Sequence, residues 1–128
     1  MRGRGSGRGN YITTSDMSRI AITPREFVEE FYQLKQSYVA SVAQPASQTG
    51  SLLQKIKLSG AQQALVEELL DTAIADVLYT VLLGLDGAAQ IGAKQVNYTV
   101  LDEYGNRICG DGEVEALAYE LFHNRTSS

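Results

Sequence analysis

Apolar residues recur at helical spacing through three stretches of this chain and alternate in a fourth, and these changes of period set out its elements. The longest helical stretch is Ser59 to Leu85, where Leu65, Val66, Leu69, Leu70, Ala73, Ile74, Val77, Leu78, Val81 and Leu82 repeat at three- and four-residue intervals. Such spacing predicts a helix with a buried face. At 1.5 Å per residue it would run about 36 Å, enough to be the spine of a small domain. Ser59 followed by Gln62 is a capping pattern at its start, and Gly84 and Gly87 mark its end. One of these glycines is expected to supply the left-handed residue of a C-cap.

An earlier helix is announced by Thr23-Pro24-Arg25-Glu26: an N-cap, a proline at the first helical position and a glutamate that completes a capping box. Phe27, Phe31, Leu34, Tyr38 and Val42 follow as one aromatic-rich stripe expected to pack in the core, with Glu29, Glu30, Lys35 and Gln36 on the other side. The helix should end near Gln44-Pro45, since proline disfavours helical geometry in the residue before it. Ala46 to Gly50 reads as a polar loop, and Leu52, Leu53 and Ile56 as about two further helical turns.

Past Gly92 the period falls to two. Val96, Tyr98 and Val100 alternate with Asn97, Thr99 and Leu101, which predicts a strand. Asp102-Glu103-Tyr104-Gly105-Asn106 carries turn chemistry, and Arg107-Ile108-Cys109 returns as a short partner. Helical spacing resumes from Glu113 to His123, with Val114, Leu117, Ala118, Leu121 and Phe122 on one face. Glu113 and Glu115 suit the positive end of that helix. The sum is a mainly α chain with a small antiparallel β-hairpin (α+β): helices around one long central helix, with the hairpin packed against them. A hairpin of two strands is marginal alone, so it needs that packing.

Composition changes this picture only at the ends. Residues 1–16 are rich in Arg-Gly pairs and poor in anything to bury, which reads as a disordered arm or a non-native start, with Met17 opening a natural beginning. A single globular domain over 17–128 is the expectation, with Asn124 to Ser128 fraying. Without the first sixteen residues, Lys and Arg number 11 − 3 = 8 and Asp and Glu 15 − 1 = 14, a net charge of −6. An acidic domain repels nucleic acid and anionic membrane and suits a basic partner. No secretory signal is visible at the start. Glu67, Glu68, Asp71 and Asp76 interrupt the long helix, so it is not expected to span a membrane. The lone Cys109 fits a reducing, cytoplasmic setting.

Motifs for chemistry are sparse. His123, the single histidine, falls in the last turn of the last helix, where it suits the free carbonyls. Cys109 reads as a small buried hydrophobe. No cofactor is implied: Gly3-Arg4-Gly5-Ser6-Gly7-Arg8-Gly9 follows no strand and opens no helix. The acidic residues lack the histidine partners of a carboxylate metal site, and the turns lack the ligand spacing of a calcium loop.

Three stretches carry a resemblance: V-L-Y-T-V-L-L-G-L-D-G (77–87), Y-T-V-L-D-E-Y-G-N-R-I (98–108) and G-E-V-E-A-L-A-Y-E-L-F (112–122). They resemble small bacterial proteins, including immunity proteins of toxin–immunity pairs. The resemblance covers about a third of the chain and carries over no functional residue. It implies a bacterial, non-enzymatic interaction protein that blocks a partner such as a basic toxin. On the acidic surface, Glu67, Glu68, Asp71, Asp102, Glu103 and Asp111 would steer that partner, and Tyr104 at the hairpin tip would anchor it. Two alternatives stand beside this: an RNA-associated protein using the arginine–glycine arm, and a small enzyme without a recognisable motif. A homodimer through a free helix face is compatible with each.

Overall fold

In the computed structural model, residues 19–42, 44 and 46–123 are described. The expectations for the 1–16 arm, the start at Met17, Pro45 and the tail from Asn124 lie outside them. The element order is α1 (Pro24–Ser41), α2 (Gln48–Ile56), α3 (Gly60–Leu85), β1 (Val100–Leu101), β2 (Arg107–Cys109) and α4 (Glu113–Phe122). The architecture is mainly helical with one two-stranded antiparallel hairpin, as the periodicity predicts.

Local chemistry sets the helix starts. Thr23 Oγ1 accepts from the Glu26 amide at 3.1 Å, and the Glu26 carboxylate accepts from the Thr23 amide at 2.9 Å. Ser59 and Gln62 repeat that reciprocal box at α3, at 3.2 and 2.9 Å. Each box satisfies amides that have no partner within the helix. Ser47 caps α2 by accepting from the Gly50 amide at 2.8 Å. At the end of α3, Gly87 takes the left-handed conformation with φ +85°. Gly84 has another task. It is buried inside the helix, and a Cβ there would fall 2.2 Å from Ile91 Cγ1, so its bareness lets the following loop lie against the helix.

The core is shared by α1, the second half of α3, β2 and α4. Val28, Ala75, Leu82, Ile108, Cys109, Val114, Ala118, Leu121 and Phe122 form it, with Phe27, Phe31, Tyr32, Leu78 and Tyr79 packed around. The face of α4 is the one its spacing predicts, apart from Leu117, which is half-buried. Tyr32 meets Phe122 edge-on at 5.6 Å between ring centres, locking α1 to α4.

Three expectations need correction. Val42, the C-cap of α1, is buried as expected, but within the helix the buried positions are Val28 and Lys35; Leu34 and Tyr38 are exposed and Phe27 and Phe31 half-buried. The aromatic stripe thus sits on the flank of the contact, because the Lys35 ammonium finds an internal partner and takes the inward position. In α3, Leu65, Leu69 and Val77 are exposed, since none of the described residues covers that side. The strand expected over 96–101 forms only at Val100–Leu101, where Val100 pairs with Cys109 and Leu101 with Arg107 across an irregularity. Residues 96–99 alternate in sequence but have no partner strand among the described residues.

Candidate functional site

The acidic residues expected to form a partner surface divide into two groups. Glu67, Glu68 and Asp71 lie in the first half of α3. Asp102, Glu103 and Tyr104 lie in the hairpin turn, tied to the segment before α1: Asp102 Oδ2 accepts from the Ala21 amide at 3.1 Å, and the Asn106 side-chain amide donates to the Arg19 carbonyl. Asp111 stands just before α4, where it accepts from the Glu113 amide at 3.1 Å.

Several of these carboxylates are occupied within the chain. Asp102 Oδ1 also accepts from the Tyr104 and Asn106 amides, both at 2.9 Å. Burial pushes its carboxyl up, but the hydrogen bonds from Asn106, Ala21 and Tyr104 outweigh it and hold the group below the usual aspartate value. Asp102 therefore organises the turn. Tyr104 is half-buried, and the Arg19 guanidinium lies 5.5 Å from its ring centre, so the ring covers the turn. Asp71 pairs with the buried ammonium of Lys35 at 2.6 Å, while Lys35 also donates to Gln36 and sits over the Tyr32 ring. Glu67 accepts from Gln63 at 3.1 Å. Glu68 and Glu103 are exposed.

A concave acidic surface lies elsewhere, between α1 and α4. Glu29, Glu30, Tyr32, Gln33 and Leu121 line it, and Arg25 pairs with Glu120 at 3.4 Å across the same two helices. Two exposed carboxylates over an aromatic and an aliphatic floor are chemistry suited to a partner's Lys or Arg side chain. The sequence placed Glu29 and Glu30 on the polar side of α1 but gave no sign of the concavity. It arises only because α4 packs beside that side, which no local pattern encodes.

Asp86 is a second residue that motif reasoning passed over. It is 6% exposed, and its carboxylate accepts from the Gly110 amide at 2.5 Å and the Glu115 amide at 2.9 Å. It thus joins the end of α3 to the exit of β2 and the first turn of α4. The Asp86-Gly87 pair at the end of the periodic run was the available signal.

The groups that nucleophilic or metal chemistry would need are set for structure. Cys109 is fully buried, and burial with the nearby charges of Asp86 and Asp111 pushes its thiol up to about 11. Such a thiol is protonated at neutral pH and a poor nucleophile. His123 lies edge-on to Tyr79 at 4.3 Å and stacks on Tyr119 at 5.5 Å. Its backbone N–H closes the last turn of α4 on the Tyr119 carbonyl at 2.9 Å. Burial, then the neighbouring Glu115 and Tyr119, raises the Tyr79 hydroxyl. Among the described residues no three His, Cys, Asp or Glu side chains converge on a metal position, and no helix is long and apolar enough to cross a membrane. No protein-family model matches the chain, and no curated protein or solved structure matches it.

Proposed function

We propose that this chain is a small protein-binding module whose acidic surface engages and blocks a basic partner, in the manner of an immunity or inhibitor protein. The observation that carries the reading is the α1–α4 concavity, with Glu29 and Glu30 exposed at its rim above Tyr32 and Leu121. The charge of the whole surface supports it. Among the described residues Asp and Glu number fourteen against seven Lys and Arg, and one of those seven, Lys35, is buried. Glu67, Glu68, Glu103 and Asp111 extend the field that steers a cationic partner towards the cleft. Asp71 and Asp102 act behind that surface, holding α1 to α3 and shaping the turn.

The test is capture by the full-length chain from a lysate of its own host, at low and at moderate salt. The reading requires a basic protein retained near one-to-one, lost as salt rises, whose activity falls on binding. It also requires that E29K/E30K weaken retention at least ~10-fold while the secondary structure stays unchanged. Retention that ignores both salt and this double substitution would sink the reading. The RNA alternative rests on residues 1–16 alone, outside the described structure, and predicts salt-sensitive RNA affinity that disappears with their deletion.

A further inference from the structure

The segment that leads into α1 is fastened to the hairpin turn. The Ala21 amide donates to Asp102 Oδ2 at 3.1 Å, the Arg19 carbonyl accepts from the Asn106 side-chain amide, and the Arg19 guanidinium stands 5.5 Å from the Tyr104 ring centre. The chain before residue 19 therefore joins the fold at a fixed point. From that point the acidic cleft is near. Four steps of chain lead from Arg19 to Thr23, about 14 Å at full extension, and Glu30 lies seven residues further, about 10 Å along α1. Arg19 and Glu30 are thus within about 25 Å of each other.

We propose that the arginine–glycine arm is the resident occupant of the α1–α4 cleft, where Arg4 and Arg8 pair with Glu29 and Glu30 and compete with the basic partner. The inference rests on the cleft reading given above, and charge and reach carry it. Along residues 1–16, Arg2, Arg4 and Arg8 stand against Asp16 alone. The rim of the cleft carries Glu29, Glu30 and Glu120 against Arg25, which meets Glu120 at 3.4 Å and Glu29 only at 4.0 Å. Half-exposed pairs of that length are weak, so Glu29 and Glu30 are open to a further cation. Arginine suits them: its guanidinium forks onto carboxylate while its stem lies on the floor of Tyr32 and Leu121. Reach agrees. Arg8 and Arg4 come eleven and fifteen residues before Arg19, and a flexible tether of either length would span about 17–23 Å root-mean-square. That matches the distance to the cleft, the condition for the highest effective concentration, on the order of millimolar.

Other carboxylates meet these conditions less well. Asp71, Asp86 and Asp102 are filled by Lys35 and by backbone amides. Glu103 is exposed beside the anchor, but Arg19 already stands over the neighbouring Tyr104 ring. Glu29 and Glu30 are consecutive and both exposed, so one arm engages the two together. The consequence is a filter. An occupant held at millimolar effective concentration lowers the affinity of every basic partner, and only one of higher charge density or better fit displaces it.

Calorimetric binding of a nona-arginine peptide to the full chain at low salt tests the occupant. The comparison is with R2Q/R4Q/R8Q, which keeps the length of the arm and removes its charge. The peptide should bind R2Q/R4Q/R8Q at least ~3-fold more tightly than the wild type, and that gain should vanish when E29Q/E30Q is added to both chains. A gain that survives E29Q/E30Q is bulk charge and overturns the proposal. Equal binding by the two chains that still requires Glu29 and Glu30 overturns the arm as occupant and leaves the cleft reading standing. Binding indifferent to E29Q/E30Q in both chains overturns the two together. Zero-length coupling locates the arm. R8K places an amine on it, and carbodiimide should join that amine within one chain to Glu29 or Glu30, with a yield that falls as salt rises. Coupling to Glu103, an even spread over the exposed carboxylates, or no coupling of that amine at all overturns the proposal.

Discussion

The two halves of α3 share a composition and a spacing but not an environment. From Ala75 onward one face of the helix lies in the common core, with Ala75, Leu82 and Gly84 buried, while Val77 on the opposite face stays exposed. Before Ala75, Leu65 and Leu69 stand about two-thirds exposed, and α1 meets the helix there through the Lys35–Asp71 pair. The difference lies in the segments that come after the helix along the chain. The loop through Ile91, the hairpin and α4 all fold back on the second half. Among the described residues no later segment covers Leu65 or Leu69, and α2 buries Leu53 while leaving Leu52 and Ile56 60% exposed. Apolar periodicity thus states that a face requires cover; it does not state whether the cover comes from the same chain.

Substitutions can break that contrast. Leu82→Ala, at a side chain with no exposure, should cost about 2–5 kcal/mol in urea unfolding. Leu69→Ala should stay within about 0.5 kcal/mol wherever the chain is monomeric. Similar losses at both positions in a monomer would mean that the first half is covered after all.

Next in size is the clasp at the end of the second half. Asp86→Ala strands the Gly110 and Glu115 amides, and the expected loss is about 3 kcal/mol. Hydrogen exchange should locate that loss in β2 and α4 and spare the start of α3. At the exposed end, Ser59→Ala removes an N-cap and should cost about 1 kcal/mol, seen as faster exchange in the first turns of α3.

The smallest effects are those of pH, and they fall on the second half and the hairpin. Asp102 has a folded pKa below its unfolded value of 3.8. Its contribution is therefore present above that value and lost as pH falls through the folded pKa. Asp102→Asn should flatten the acid limb of the stability curve. Cys109 runs the other way. Its thiol is raised from 9.0 to about 11, so its contribution is complete below pH 9 and is lost as pH rises towards 11. Thiol reagents at pH 8 should leave native Cys109 untouched and modify it on unfolding; rapid native labelling would contradict its burial.

Local chemistry was legible wherever its partners lie within a turn. The capping boxes at Thr23 and Ser59, the left-handed Gly87, the Asp102 turn and the buried face of α4 all follow from residues three or four apart. The inward position of Lys35 did not, because a buried ammonium depends on Asp71, thirty-six residues away. The strand over 96–99 failed for a related reason: alternation supplies a face, but a strand also needs a partner backbone, and among the described residues only Val100 and Leu101 have one on β2.

The candidate sites divide in the same way. The sequence could count carboxylates but could not tell which are already engaged. Asp71, Asp102 and Asp86 spend theirs on a buried ammonium and on backbone amides, while Glu29, paired only with exposed Arg25 at 4.0 Å, and Glu30 remain exposed beside a cleft. By itself, then, the sequence determined the helices, their caps, the hairpin turn and the acidic balance, because each depends on neighbours along the chain. Only the tertiary structure decided which apolar faces are covered, which charges are paired and where a cleft opens. Those outcomes depend on which distant surfaces meet, and the local pattern holds no record of that.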